Sequence, residues 1–182
     1  MLTRIKVEGF RSLQDVELKM TPLTVLIGPN GAGKSNFMDV FSLLALAAEE
    51  QLEDGVISRG GWDAVAFRQP DVSRPQMHFT CDLNGAPDSA DAIGCLTYEV
   101  EIRQRAAGLI VSREQLLRRS GVSSVSLVRR TPSTCAFSNE RSGRDEDKAE
   151  VLGSELAMAQ VSDRASFPTV YGLRRTIRGW WL

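Results

Sequence analysis

The chain opens with two short segments in which apolar and polar positions alternate. Ile5 and Val7 stand between charged neighbours, and Val16 and Leu18 repeat the pattern after a break at residues 9–12. A period of two is typical of a strand with one buried face. The pattern therefore predicts two strands, and the short break between them favours antiparallel pairing.

A third segment, residues 23–27 (LTVLI), is apolar almost without interruption. Such a run predicts a strand that is covered on both faces. Three glycines follow within residues 28–33, and from Lys34 to about Glu50 apolar side chains occupy most sides of a helix. This part of the chain is predicted to be a buried strand, a glycine-rich loop and a buried helix.

We predict that the whole chain is one lobe, of which residues 1–50 are the first part. The rest of the chain divides into three further parts by its periodicity. Residues 51–130 read as a loop to about residue 75 and then as four alternating strands of an antiparallel meander. Residues 131–147 lose periodicity and predict a mobile loop. Residues 148–182 predict a helical segment, with helices over 149–161 and 170–177.

Composition and cysteine usage narrow the class of protein. The chain has 182 residues, is 42% hydrophobic and 25% charged, and carries a formal net charge of −1. These values are ordinary for a globular domain and give no overall attraction to nucleic acid or anionic lipid. The three cysteines have no metal-ligand spacing, which favours reduced packing residues in a cytoplasmic protein. No apolar run approaches the roughly 18 residues that a membrane span needs.

The glycine-rich loop carries the clearest chemical signal in the chain. It matches the phosphate-binding pattern G-x-x-x-x-G-K-[ST] at every fixed position, between a predicted strand and a predicted helix. The residues of the match are Gly28, Pro29, Asn30, Gly31, Ala32, Gly33, Lys34 and Ser35.

Each requirement of this pattern follows from the charge of a triphosphate. Glycines allow a tight backbone curl that turns N–H groups toward the phosphates, and the following helix directs its positive dipole end to the same place. We expect Lys34 to reach the β- and γ-phosphates, and the Ser35 hydroxyl to bind Mg²⁺. ATP and Mg²⁺ are therefore the predicted ligands. The competing interpretation is a glycine-rich turn that binds nothing.

The sequence around the loop resembles a known group of ATPases. GPNGAGKSN, with Asn36 directly after Ser35, and the opening IKVEGFRSL are similar to the heads of RecF, SMC and ABC-type ATPases, and most similar to bacterial stand-alone predicted ATPases and OLD-like ATPases. The resemblance is strong over residues 1–50. It implies an α/β fold, the N-terminal lobe of a P-loop NTPase of the ABC/SMC-head type, with an antiparallel β-subdomain.

The resemblance also implies a role for Arg11. In several such heads a basic residue of this segment lies near the bound nucleotide, so Arg11 joins Asn36 as an expected nucleotide contact. An exposed arginine in a turn between two strands is the alternative.

Elements that hydrolysis requires in this family are missing from the sequence. No Asp or Glu ends an apolar strand in the Walker B manner, there is no LSGG-like signature, and His78 falls on the polar side of a strand, where we expect it to be solvated. No catalytic residue is assigned. The resemblance places these elements in a C-terminal half, so we expect this chain to be an N-terminal portion, nearly inactive alone, that works with that half or in a head-to-head homodimer. A complete small protein that binds ATP without hydrolysing it is the alternative.

Charge is distributed in blocks despite the small net charge. Residues 103–130 hold seven arginines against one acid, whereas residues 140–163 carry a net charge of −4. Arginine-rich strands suit phosphate, so DNA is one candidate partner. The other interpretation, which we favour, is a solvated outer face of the meander that pairs with the acidic segment. The resemblance suggests DNA repair, chromosome maintenance or phage defence without choosing among them.

Overall fold

One antiparallel sheet organises the molecule. The structure, a computed structural model, describes residues 1–68, 75–85, 94–106, 108–147 and 153–180. Within those residues eight strands form a single sheet in the order β2-β1-β3-β4-β5-β6-β7-β8. The strands are β1 (Leu2–Phe10), β2 (Leu13–Lys19), β3 (Gln76–Asn84), β4 (Cys95–Arg105), β5 (Gly108–Ser120), β6 (Ser123–Arg130), β7 (Cys135–Asn139) and β8 (Arg144–Asp147).

The sheet confirms the strands predicted from alternation, which are β1 to β6. β1 pairs with β2 antiparallel, with Ile5 opposite Leu18. The four strands of the meander, β3 to β6, pair with their sequence neighbours, also antiparallel. β3 lies on the other side of β1 from β2, so the segment between β2 and β3 must cross to the opposite edge of the hairpin.

Helices cover the apolar face of this sheet. They are α1 (Lys34–Ala47), α2 (Leu52–Ile57), α3 (Trp62–Val65) and α4 (Pro168–Arg178), with a 3₁₀ helix at Ala157–Gln160. Buried residues of α1, such as Leu43 and Leu44, share one apolar cluster with Val7, Phe79 and Val100 of the sheet. No helix among the described residues has both the length and the hydropathy for crossing a membrane.

Polar contacts fix α4 at both of its ends. The Glu140 carboxylate accepts hydrogen bonds from the backbone N–H and the hydroxyl of Thr169, in the first turn of α4. At the other end Arg178 pairs with Glu49 at 2.9 Å, directly after α1. The first contacts hold the start of α4 beside the end of β7, and the second holds its other end against the end of α1. The C-terminal helix predicted over 170–177 is confirmed.

The predicted buried strand at residues 23–27 is wrong. The segment is not a strand, and Leu23, Val25 and Ile27 are 81%, 68% and 91% exposed. After β2 the Thr21 hydroxyl donates to the Leu23 carbonyl and turns the chain out of the sheet. A strand needs a neighbour for its backbone groups, and no described strand lies beside these residues. The sheet is therefore antiparallel throughout the described residues, and the expected core strand before the loop is absent from it.

Three further expectations from the sequence need correction. Residues 131–147, predicted to be a mobile loop, contain β7 and β8, where Cys135 and Phe137 are buried in the alternation of a strand. The predicted loop at 51–75 includes the short helices α2 and α3. In the helix predicted over 149–161, residues 149–152 lie outside the described part, and the rest holds only a 3₁₀ turn. The division into one lobe stays a prediction.

A buried polar cluster joins β4, β5, β6 and the 3₁₀ helix. The Glu114 carboxylate, fully buried, accepts hydrogen bonds from the Tyr98 hydroxyl at 3.1 Å and from the backbone N–H groups of Ala157 and Met158. The Arg130 guanidinium lies 4.0 Å away and donates to the carbonyls of two residues that precede the 3₁₀ helix. Burial raises the pKa of Glu114, opposed by those backbone donors and by Arg130.

We predict that Glu114→Ala lowers the free energy of unfolding by about 3 kcal/mol or more. The substitution removes the buried carboxylate beside Arg130 and leaves two backbone N–H groups without their acceptor. Urea unfolding measures the loss. The matched control is Glu99→Ala on the adjacent strand, which removes a partly exposed partner of Arg113 and should cost less than about 1 kcal/mol. Equal losses in the two variants would contradict a stabilising role for the cluster.

A pH dependence follows from the raised pKa of Glu114. The unfolded state loses this proton near the ordinary pKa of 4.5, whereas the folded state keeps it to a higher pH. The contribution of this group to stability is therefore full below pH 4.5 and is lost as pH rises through the folded pKa. Glu114→Gln has no titratable group at this position, so its free energy of unfolding should lack this pH-dependent contribution. The difference in free energy of unfolding between the variant and the parent should therefore change with pH in that window. A constant difference would show that the pKa is not raised.

Candidate functional site

The glycine-rich loop runs exposed into the start of α1. Gly31 and Gly33 adopt φ values of 83° and 88°, in the left-handed region that disfavours residues with a Cβ atom. Gly33 directly precedes the helix and provides no side-chain cap, and the first turn of α1 carries no acidic residue. The unpaired N–H groups that begin any α-helix therefore lie beside this loop, at the positive end of the helix dipole.

The side chain of Lys34 reaches back across the loop. Its ammonium donates hydrogen bonds to the carbonyl oxygens of Gly28 and Pro29, each at 2.7 Å. An ammonium group has three N–H donors, so these two contacts hold the charge over the loop and leave a third donor for an external acceptor. The loop carbonyls thus fix the cation next to the first turn of α1.

The turn between β1 and β2 packs against the same place. The Asn36 side-chain N–H donates to the Ser12 hydroxyl at 2.8 Å, and a Cβ added to Gly33 would lie 3.1 Å from that hydroxyl and 3.2 Å from the Leu13 side chain. Asn36 also accepts a hydrogen bond from the Arg11 guanidinium at 3.4 Å. The structure therefore brings Arg11, predicted from a resemblance, to the first turn of α1.

An ion-pair cluster on this side of α1 was not predicted from the sequence. Asp39 pairs with Arg11 at 3.0 Å through one carboxylate oxygen and with Arg59 at 2.7 Å through the other. Asp39 is the one charged residue in the mostly apolar stretch FMDVFSLL, and that interruption was the available signal. The pairing itself joins residues distant in sequence, and no pattern along the chain could show it.

The arrangement fits a polyphosphate. Two basic side chains, Lys34 and Arg11, contact the loop and the first turn of α1, whereas Arg59 lies further along the helix, against Asp39 and Ser42. The Ser35 hydroxyl is exposed in the first helical turn, next to Lys34. A hydroxyl oxygen is a ligand that Mg²⁺ accepts alongside phosphate oxygens and water. Among the described residues no group of three or more His, Cys, Asp or Glu side chains is placed to hold a metal.

An apolar cleft of about 330 Å³ lies on the other side of the segment that precedes the loop. Leu26 lines it together with Phe37 and Phe41 of α1 and Trp180, which follows α4. Thr24 lines the cleft as well, whereas Val25 and Ile27 do not line it and are exposed. Residues 23–27 thus keep the alternation of a strand, with one side toward α1 and the other uncovered.

The arginine-rich strands are largely paired with acids. Arg118 contacts Glu140 at 2.7 Å, and Arg129 lies 3.7 Å from Asp145, both acids of the segment after the meander. These pairs support the solvated, acid-paired interpretation of the arginine block over a DNA-binding face. His78 is partly buried and bonds to Glu8 at 2.9 Å, so the expectation of a solvated side chain holds only in part.

The cysteines are free, as predicted, but they do not all pack in the core. Cys81 and Cys135 are buried, whereas Cys95 is exposed. Burial raises the pKa of the Cys81 thiol to about 12, so that this thiol is inert at neutral pH.

Comparison with known proteins supports the resemblance over the N-terminal part of the chain. Residues 1–79 match the family model described as an AAA ATPase domain. An OLD nuclease from Thermus scotoductus is 46% identical over 44 residues, which are 24% of this chain and 8% of that protein. A solved structure from work on ATP-driven dimerisation and DNA-stimulated activation of SMC ATPases aligns at 17% identity and a TM-score of 0.41, over 65% of this chain and 69% of that one.

The two sequence matches confirm that the N-terminal part is similar to a P-loop ATPase head of the OLD-like kind. They support an ATP-binding ATPase module. The OLD nuclease match spans less than a tenth of that protein's length.

We predict that Gly33→Ala destabilises the protein more than Gly31→Ala does. Both substitutions place alanine at a left-handed φ, which costs about 1–2 kcal/mol. Only at position 33 does the new methyl group also crowd Ser12 and Leu13, since nothing lies within 4 Å of a Cβ at position 31. Unfolding in urea measures both. Equal losses would show that the β1–β2 turn does not pack on the loop in solution.

Proposed function

We propose that this chain is the ATP-binding lobe of an ABC/RecF/SMC-type ATPase, and that it binds ATP–Mg²⁺ through residues 28–36. The observation that carries the proposal is the Lys34 ammonium, which the Gly28 and Pro29 carbonyls hold across a glycine-rich loop at the start of α1. A fixed cation beside unpaired helix N–H groups is an arrangement suited to binding phosphate.

Each group in the loop has a separate task in this proposal. Lys34 directs its free N–H to the β- and γ-phosphates. The backbone N–H groups of residues 30–35 surround the phosphate chain, and Asn30 and Ala32 take part only through their backbone. Pro29 has no N–H and contributes its carbonyl, which holds Lys34. Asn36 holds the first helical turn through Ser12. Arg11, 3.4 Å from Asn36, supplies a second cation.

Magnesium is the proposed metal, with the Ser35 hydroxyl as its protein ligand. The ion, when bound, would neutralise charge on the β- and γ-phosphate oxygens. Ser35 lies next to Lys34 on the exposed first turn, so a single phosphate chain can meet both residues.

Hydrolysis is proposed to need the C-terminal half that the family resemblance implies. That half would provide the Walker B acid and the signature motif, which the sequence lacks. The exposure of Leu23, Val25 and Ile27 supports a further layer of protein against this segment, because a strand placed before a phosphate loop is normally covered on both faces. The chain alone is expected to be nearly inactive as a hydrolase.

Two partners complete the proposal for the full protein. One is the C-terminal half of the same protein, and the other is a second copy that forms a head-to-head dimer around two nucleotides. Opening and closing of such a dimer would couple ATP to work on DNA in repair, in chromosome maintenance or in phage defence. A cytoplasmic location, inferred from the cysteine pattern, belongs to the same proposal.

The second candidate is a nucleotide-gated binding module that does not hydrolyse ATP. It uses the same loop, and it is favoured by the absence of an assigned Walker B acid in the sequence. Phosphate release from ATP, measured with the longest natural form of the protein, distinguishes the two candidate functions. Steady release supports the ATPase, and saturable ATP binding without release supports the binding module.

We predict that a fluorescent ATP analogue with Mg²⁺ binds this chain saturably, and that Lys34→Ala weakens its affinity at least about tenfold, or roughly 1.4 kcal/mol. The loss is expected because Lys34 is the cation placed over the loop. Fluorescence titration of the two proteins measures the ratio.

The matched control is Lys19→Ala, which removes the same charge from an exposed position near the end of β2. Its affinity should equal that of the parent. Equal weakening by both substitutions would mean that net charge, and not the loop, sets the affinity, and absence of binding by the folded parent would refute the function proposed for this chain.

A further inference from the structure

The Asp39 carboxylate holds two arginines in unequal ways. Arg59 donates to one oxygen through two nitrogens, at 2.8 and 2.7 Å, and also donates to the Gly55 carbonyl at 2.7 Å and to the Ser42 hydroxyl at 3.0 Å. Its side chain is only 11% exposed. Arg59 is therefore a permanent partner, fixed by several acceptors at once.

Arg11 is attached much more loosely. It meets the other Asp39 oxygen at 3.0 Å and Asn36 at a long 3.4 Å, and its side chain is 29% exposed. Its guanidinium carbon also lies over the Phe10 ring, 5.6 Å from the ring centroid, a contact that exchange would weaken. Among the described residues its Nε is buried without a hydrogen-bond partner. Its backbone has a φ of 49°, which is unfavourable for a residue with a side chain. An unsatisfied donor gains free energy when it finds an acceptor, so Arg11 is the exchangeable member of the cluster.

Release of Arg11 leaves no unpaired charge behind. Asp39 keeps Arg59 at 2.7 Å when Arg11 departs, so the cost of a stranded buried carboxylate does not arise. Arg11 lies beside the first turn of α1, next to Asn36 and near the end of the loop. A phosphate group at that helix start would compete with Asp39 for the same guanidinium.

We propose that Asp39 is a positioning residue that stores Arg11 and sets the nucleotide concentration at which the loop is occupied. This inference rests on the proposed function, since it needs a phosphate ligand at the loop. Arg11 exchanges from Asp39 to the polyphosphate on binding, and Arg59 keeps Asp39 in place. The affinity of the site therefore contains the cost of breaking the Arg11–Asp39 pair.

The experiment is a double-substitution cycle read by titration of the fluorescent ATP analogue with Mg²⁺. Asp39→Asn keeps an oxygen for Arg59 and removes the charge that holds Arg11, so it should tighten binding about two- to fivefold, the range expected for release of one partly exposed ion pair. Arg11→Ala should weaken binding. In the Arg11→Ala background, Asp39→Asn should give no gain, because the stored cation is no longer there.

A second measurement does not depend on Asp39 variants being folded. In the parent labelled with ¹⁵N at arginine, the Nε–H resonance of Arg11, assigned through Arg11→Lys, should shift when the analogue binds, because Nε gains an acceptor. The Arg59 resonance should stay in place. A structural ion pair without exchange would leave both resonances unmoved.

The outcomes separate this inference from the proposed function. Storage of Arg11 by Asp39 is overturned when Asp39→Asn does not tighten binding, or tightens it equally in the Arg11→Ala background. If Lys34→Ala still weakens binding in that case, the loop remains the nucleotide site. When the parent and Lys34→Ala bind alike, the proposed function fails and this inference fails with it.

Discussion

The contact between the β1–β2 turn and the first turn of α1 is the constraint on which the candidate site depends. Gly33 leaves room for Ser12 and Leu13 to approach the end of the loop, and Asn36 bonds to Ser12 across that contact. The sheet, which is the rigid part of the molecule, thereby holds the start of the helix. A loop rich in glycine has high conformational entropy, so this attachment is what gives Lys34 a defined position over the loop carbonyls.

Two arginines near the loop share one carboxylate as their ion-pair partner. This carboxylate, Asp39, pairs with both guanidinium groups, and Arg59 is the better anchored because the Gly55 carbonyl and the Ser42 hydroxyl also accept hydrogen bonds from it. This leaves Arg11 half satisfied at the edge of the site. The buried Glu114 is a different case. Four groups from three elements contact its carboxyl group, so we expect it to stabilise the fold.

Residues 23–27 show how a strand depends on its neighbours. The segment keeps the sequence of a covered strand and even its alternation, with Leu26 toward α1 and Ile27 outward. Its backbone has no adjacent strand in the described residues, and hydrogen bonds between strands are what stabilise extended backbone. A partner strand, as the proposed C-terminal half would provide, is the missing requirement, and the apolar cleft next to α1 lies where such a layer would continue the core.

Local patterns determined most of the elements and the chemistry of the loop. Alternation predicted β1 to β6 and helical periodicity predicted α1 and α4, because each of these depends on neighbours within a few residues. The spacing from Gly28 to Ser35 predicts a phosphate loop for the same reason, and that assignment stays a prediction. Only the tertiary structure decided that 23–27 stays unpaired, that 131–147 forms two strands, and that Asp39 joins Arg11 to Arg59. These features depend on which distant segments meet, and that is set by packing and by backbone hydrogen bonds between elements far apart in the chain.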